Sequence, residues 1–276
     1  MKIGILHHPH VPNSYELAQE IEAWLQAQGV EAWECISWEA KKTDGRLASL
    51  DLLITLGGDG SMLRAGRLAS HFDFPVLGIN MGRLGFLAEI YPHEWREHLP
   101  RVLEGDYRVE RRHMLQAEVW RNGELFEQGL DVLNEVVVGR GGLTRVVRIT
   151  TEINESYLTT YVADGVIVST PTGSTAYALA VGGPILPPEL RNILLLPIAP
   201  HLSLARPLVL DKGAVVNLIV HTDHKAILTV DGQFLIDLED GDKVVVASGP
   251  HVASFVRLQP RSYFYRTLMD RLKWIV

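Results

Sequence analysis

The chain has 276 residues, enough for one large domain or two of ordinary size. Hydrophobic residues make up 47% and charged residues 21%, with a formal net charge of -7, the balance of a protein with a full core and not of a general nucleic-acid binder. The single cysteine, Cys35, excludes an internal disulfide, and no apolar run approaches the ~20 residues of a membrane span. The opening Met-Lys-Ile-Gly-Ile-Leu turns polar too soon for a signal peptide, so a cytoplasmic location is expected.

The first hundred residues alternate strand and helix signals. Lys2–Leu6 reads as a buried strand ending at His7-His8-Pro9-His10. Asn13 or Ser14 then caps a helix in which Leu17, Ile21, Trp24 and Leu25 keep helical spacing, and Gly29 stops it. Leu52–Leu56 is the next strand, Ser61–Ser70 a helix, Pro75–Asn80 a strand, and a helical stretch runs from about Pro92 to Leu103. Such alternation predicts a Rossmann-like parallel sheet with crossover helices. After Asp106 the pattern becomes β-rich. Leu115–Trp120 and Leu125–Gly129 flank an Asn122-Gly123 hairpin signal. Further β-branched runs follow at Val132–Val138, Val146–Ile153, Tyr157–Val162, Val166–Ser169, Ile193–Ile198, Ala214–Val220, Ile227–Val230 and Lys243–Ala247. Only Ser174–Ala180 and the tail from Ser262 look helical. The expected organisation is an α/β domain over 1–106, a β-rich domain over 107–256, and a C-terminal segment over 257–276 that returns to the first.

Three stretches carry chemistry. In Asp-Leu-Leu-Ile-Thr-Leu-Gly-Gly-Asp-Gly-Ser-Met-Leu (51–63) a strand runs into a glycine turn and then a helix. Glycine permits a tight turn whose N–H groups approach a phosphate, and Asp59 falls at the carboxyl end of a strand, where α/β sheets bind ligands. An acid there points to hydroxyl activation or metal ligation beside a nucleotide. Arg64, one turn into the helix, faces either phosphate or solvent. No Gly-Lys-Ser/Thr occurs, which excludes a P-loop. The second stretch, Asp164 to Tyr177, gathers the hydroxyls of Ser169, Thr170, Thr172, Ser174 and Thr175 before a helix. Hydroxyls and helix N–H groups suit a nucleotide, and the Tyr177 ring suits stacking on adenine. The alternative is an ordinary capped helix with a packed tyrosine. In the third, Asn134-Glu135 interrupts an apolar run and needs partners, either ribose hydroxyls or a protein network. The His7, His8, His10 cluster has no cysteine or acidic partner at zinc-site spacing, which favours loop-packed histidines over a metal site. Arg145 and Arg148, three apart, point to opposite faces of a strand, so at most one faces a site.

These motifs in order resemble the bacterial NAD kinases: Gly57-Gly58-Asp59-Gly60, Gly-Ile-Asn-Met-Gly-Arg-Leu-Gly-Phe-Leu (78–87), Asn134-Glu135, the 164–177 block and Asp231-Gly232-Gln233. The glycine turn alone is shared with lipid kinases and 6-phosphofructokinases. The resemblance implies an α/β domain, a β domain, and a dinucleotide between them. It also implies phosphoryl transfer from ATP or polyphosphate to the 2′-hydroxyl of the adenosine ribose of NAD, giving NADP, with a divalent metal ion, Mg²⁺ by expectation. By position, Asp59 is then the proton acceptor and Gly57, Gly58 and Gly60 the phosphate-side loop. Asn134 contacts adenine, Glu135 the ribose region, and Asp164 the nicotinamide end across a subunit interface. Thr175, Ala176 and Tyr177 hold the adenine, Gln233 lines the site, and Arg145, Ala180 and Ala199 line the pocket. Ser61 stands where many relatives have Thr, and Ala205 where Asn commonly precedes Arg-Pro, leaving no role for that side chain.

A lipid or sugar kinase sharing the glycine turn is the enzymatic alternative, but it leaves the block ending in Tyr177 unexplained. A non-catalytic NADP-binding regulatory module is the other. Expected partners are small nucleotides and further copies of the chain, as a homodimer or homotetramer, with neither nucleic acid nor membrane.

Overall fold

Leu52–Gly57 is buried at every position, the mark of a strand covered on both faces of a parallel sheet. The computed structural model describes residues 1–37, 45–82, 85–142, 145–201 and 205–272. In chain order the strands and helices are β1 (Lys2–His7), α1 (Ser14–Ala27), β2 (Glu31–Ile36), β3 (Leu52–Gly57), α2 (Asp59–Ala69), β4 (Val76–Asn80), α3 (Trp95–Leu103), β5 (Arg108–Arg121), β6 (Glu124–Val132), β7 (Glu135–Arg140), β8 (Val147–Ile153), β9 (Ser156–Ala163) and β10 (Gly165–Ser169). There follow α4 (Tyr177–Ala180), β11 (Ile193–Ile198), β12 (Leu208–Leu210), β13 (Val216–His221), β14 (Ala226–Val230), β15 (Phe234–Leu238), β16 (Lys243–Arg257) and α5 (Tyr263–Leu272). Two units result, one of residues 1–111 and 253–276, the other of residues 112–252.

The first unit is an α/β layer with parallel strands in the order β2-β1-β3-β4 and the end of β16 beside β4. Ile3, Ile5, Leu52, Ile54, Leu77 and Ile79 meet Ile21 and Leu25 of α1 and Trp95 and Leu99 of α3 in one apolar cluster. Each such side chain contributes about 1.5–3 kcal/mol on burial, and this packing fixes the sheet whose carboxyl edge carries the glycine turn.

The second unit is built from β-strands, its six-stranded antiparallel sheet running β12-β11-β10-β7-β14-β15. Strands β16, β13, β8 and β9 pair antiparallel in that order. Val136, Val138, Val166, Val168, Leu218, Val220, Leu228 and Val230 share one core cluster. Two hairpins use the geometry that their sequences demand. Asn122 and Gly123, with φ of 53° and 79°, are the left-handed pair of a two-residue turn, and Asp231 and Gly232, with 51° and 63°, open the three-residue connection 231–233.

Several boundaries depart from the sequence reading. Helix α2 begins at Asp59, two residues before the predicted Ser61, so the acid belongs to the helix and not to the loop. The predicted single strand Val132–Val138 is broken at Leu133-Asn134. The break has a cause: the Asp231 carboxylate accepts the N–H groups of Leu133, Asn134 and Glu135 at 3.1, 2.7 and 3.1 Å, so those donors leave the ladder. Strands β2 and β15, and β16 beyond Ala247, were not anticipated, because their polar and aromatic content masks the alternation, and β12 was not because three residues are too few to show a period.

Candidate functional site

The Asp59 side chain is held by backbone. Its two oxygens accept N–H bonds from Phe86 at 2.8 Å and Leu87 at 3.2 Å. Gly85 makes this approach possible, since a β-carbon there would stand 2.1–2.2 Å from the carboxylate atoms. The 78–87 motif thus gains a role that its sequence did not disclose: it clamps the acid of the glycine turn. Gly57 is needed for a similar reason, as a β-carbon would lie 2.2 Å from Ser61 Oγ. With one acceptor site on each oxygen engaged, the carboxylate keeps lone pairs for a hydroxyl proton. Gly58 caps α2, and the helix N-terminus favours negative charge at this turn.

Behind that clamp lies a second layer of charge in the same unit. Arg257, 5% exposed, donates to Leu87 O at 2.7 Å and pairs with Glu110 at 3.0 Å and Glu89 at 3.2 Å. Glu89 in turn accepts N–H from Leu258 and Gln259 at 2.7 and 3.0 Å. Arg64 turns its Nε to Ser37 O at 2.7 Å, half-buried. A cavity of about 820 Å³ lies at the ends of β1 and β2, with His7, Tyr15, Glu34 and Arg46 in its walls and none of the glycine-turn residues. There His7 Nε2 is 2.9 Å from Glu34 Oε2, while the His8 and His10 rings lie 5.8 Å apart.

In the second unit, Glu135, Asp164 and Tyr177 share a cavity of about 620 Å³ with Arg140, Ile198 and Thr229. Glu135 is 7% exposed, and its Oε2 has no hydrogen-bond partner among the described residues. Burial, then the like charge of Asp231, raises its pKa to about 8, against a lowering by the Tyr177 N–H. At neutral pH it is largely protonated, a buried hydrogen-bond donor at the cavity wall. Asp164 is paired with Arg140, Nε to Oδ1, at 3.1 Å. Tyr177 is 43% exposed, its ring open to stacking.

The hydroxyl block behaves otherwise than expected. Thr170 O–H donates to Leu133 O at 2.6 Å, Ser174 O–H to Pro171 O at 2.7 Å and Thr175 O–H to Thr172 O at 3.2 Å. Ser169 O–H goes to Asn134 O at 3.0 Å, and Thr172 Oγ1 accepts from Arg112 at 3.3 Å. These side chains build the loop that presents Tyr177 and do not face the cavity. Gly173 completes that loop, since a β-carbon there would stand 2.3 Å from Asn134 O. Helix α4 has four residues, too few for an N-terminal phosphate site.

Other anticipated residues are placed apart from the cavity walls. Asn134 sits between β6 and β7, with its N–H on Asp231. Ala176 precedes α4 and Ala180 ends it, exposed. Ala199 follows β11 with φ of 45°. Gln233 lies exposed after the Asp231-Gly232 turn, its N–H on Val230 O at 2.9 Å. Arg145, 65% exposed, is 3.8 Å from Asp223. Arg140 and Asp231 are the residues that the sequence reading missed as side chains with work in the site. Asp231 was visible as a turn residue and as part of a motif, with no role of its own, and Arg140, two residues past the run Val132–Val138, was not singled out.

The α/β unit holds an acid clamped beside a glycine turn and the β-rich unit a polar and aromatic cavity, and the family domains and relatives of the chain are those of phosphotransferases with an alcohol group as acceptor. Residues 37–107 match the ATP-NAD kinase N-terminal domain and residues 133–258 the ATP-NAD kinase C-terminal domain. The chain is 43% identical over 272 residues to the NAD kinase of Chloroflexus aggregans, covering 99% of this chain and 98% of that one. It is 38% identical over 272 residues to that of Dehalococcoides mccartyi, covering 99% and 96%. Yeast NADH kinase, solved with NADH, superposes with a TM-score of 0.84 at 25% identity, over 99% of this chain and 87% of that one. An Archaeoglobus fulgidus NAD kinase, solved with ATP, gives 0.79 at 25% identity over 99% of each. The chain belongs to the NAD kinase family.

Proposed function

We propose that this protein transfers the γ-phosphoryl group of ATP to the 2′-hydroxyl of the adenosine ribose of NAD, making NADP. The observation that carries this is the Asp59 carboxylate, fixed by the Phe86 and Leu87 N–H groups at the start of a helix and preceded by two glycines. The hydroxyl oxygen attacks the γ-phosphorus and the bond to the β–γ bridging oxygen breaks. ADP leaves, and the hydroxyl proton goes to Asp59. A ribose hydroxyl is a weak nucleophile, so a positioned base contributes ~10²–10⁴ in rate, with orientation and charge neutralisation supplying most of the rest.

Tyr177 stacks on the adenine, and protonated Glu135 hydrogen-bonds a sugar oxygen; the orphaned Oε2 in the cavity supports this. Asn134, Asp164, Thr175, Ala176, Ala180, Ala199, Gln233 and Arg145 belong to the reading as surroundings of the dinucleotide, and Gly57, Gly58, Gly60 and Arg64 as the phosphate side. For the divalent ion, no group of three or more ligating side chains includes Asp59 among the described residues. A divalent ion, Mg²⁺ by expectation, would be held mainly by the donor's phosphates. When bound, the ion neutralises phosphate charge. Among the described residues no helix is long and apolar enough to cross a membrane; the cytoplasm is the location that belongs to this reading. Edge strand β15 exposes Phe234 at 48% and Leu235 at 61%, an apolar edge suited to pairing in a homo-oligomer.

Incubation with NAD, ATP and Mg²⁺, coupled to an NADP-specific dehydrogenase, tests the activity directly. NADP formation is expected, and its absence with both ATP and polyphosphate overturns the reading.

A further inference from the structure

Helix α5 contains a buried cation that none of these roles uses. Arg271 is 9% exposed, and its Nε has no hydrogen-bond partner among the described residues. Its guanidinium carbon lies 5.4 Å from the centre of the Phe86 ring and 5.6 Å from that of Tyr263. Phe86 is the residue whose N–H holds Asp59 at 2.8 Å. Burial pulls the Arg271 pKa down and Arg257 adds to this, while Tyr263, Asp59 and Glu89 pull it up. Guanidinium stays protonated throughout. Asp59 and Arg271 therefore feel one another's charge inside one unit.

The contrast with Arg257 is informative. Arg257 is also buried, but its N–H groups reach Glu110, Glu89 and Leu87 O. That arginine is satisfied by the fold. Arg271 is supported on aromatic faces, which hold a cation in place but supply no strong acceptor for its N–H donors. A buried donor without an acceptor is unfavourable, a cost that an arriving oxyanion removes.

We propose that Arg271 is the phosphate-binding cation of the Asp59 site, taking oxygens of the γ-phosphate of a nucleoside triphosphate in its planar fork. This rests on the assignment of Asp59 to phosphoryl transfer. Arg271 forms and breaks no bond. It neutralises the oxygens of the phosphoryl group while the acceptor oxygen bonds to phosphorus, the bridging oxygen leaves with ADP, and Asp59 takes the proton. Planar, bidentate geometry is what distinguishes guanidinium from ammonium at such a group.

The test compares the parent, R271M and R271K in the full chain. Titration of MgATP by calorimetry is expected to show at least ~10-fold weaker binding to R271M. Initial rates should fall ~10²–10³-fold in kcat/KM for ATP, with KM for NAD and the thermal midpoint near those of the parent. R271K should recover part of the ATP affinity, and millimolar methylguanidinium should raise the R271M rate. Equal MgATP affinity in parent and R271M overturns the proposal. So does a loss shared equally by ATP and NAD together with a fallen midpoint, with R271K no better. A parent that binds MgATP but makes no NADP refutes the reading of the enzyme, while the titration still decides Arg271.

Discussion

Two carboxylates have opposite surroundings. Asp59 meets two backbone N–H groups, whereas Glu135 is buried beside another acid with one oxygen unpartnered. The D59N variant keeps the shape and the N–H contacts of one oxygen but accepts no proton. Its kcat is expected to fall by ~10²–10⁴ with NAD affinity largely retained, measured by steady-state rates and a binding titration. Y177A should weaken NAD binding by about 1–3 kcal/mol if the ring stacks on a base; an unchanged Kd would make it a packing residue. For Glu135 the sign of the pH effect follows from a folded pKa of about 8 against an ordinary 4.5. Between those values the native state holds a proton that the unfolded chain has released. Stability from this group is therefore full below the lower value and lost as pH rises through the upper one, with a slope approaching ~1.4 kcal/mol per pH unit. Urea unfolding at pH 6 and pH 8 should show that loss in the parent and not in E135Q.

At the scale of elements, single side chains decide where strands stop. Asp231 takes three N–H groups that would otherwise continue the strand ahead of β7, and this offset places Glu135 at the strand's first residue. D231N is expected to cost about 1–3 kcal/mol, since an amide cannot accept all three. It should also bring the Glu135 pKa down by removing the like charge. In the other unit, Arg257 ties the end of β16 to the loop that clamps Asp59. R257M leaves Glu89, with a side chain 3% exposed, buried without its cation, and Glu110, 5% exposed, with Arg108 at 3.3 Å. A loss of about 3–5 kcal/mol in unfolding free energy is expected, partly restored when E89Q and E110Q are added. Recovery of stability without recovery of kcat would separate the clamp from the ion pairs.

For the whole molecule, β15 is one edge of the six-stranded sheet and β12 the other, and β15 exposes the larger apolar side chains. If copies pair along it, the double variant F234E/L235E should shift light-scattering mass towards the monomer, with the unfolding midpoint of the monomer preserved. The α/β then β-rich division was legible from alternation and turn signals, because the apolar runs Leu52–Leu56 and Val166–Ser169 and the Asn-Gly and Asp-Gly pairs encode local geometry that burial reinforces. The roles of Gly85, Arg140 and Arg257 were not legible, since each depends on contact with a residue far along the chain: Gly85 on Asp59, Arg140 on Asp164, Arg257 on Glu89 and Glu110.

By itself, the sequence determined the family, the order of the motifs and the acid within the glycine turn, because those are patterns of neighbouring residues. Only the tertiary structure decided that the hydroxyls of 169–175 serve the loop's own backbone, that Asp231 cuts a strand, and that Phe86 and Leu87 orient Asp59. The physical reason is that a buried donor or acceptor must find a partner wherever the fold brings one, and linear spacing does not say which partner that is.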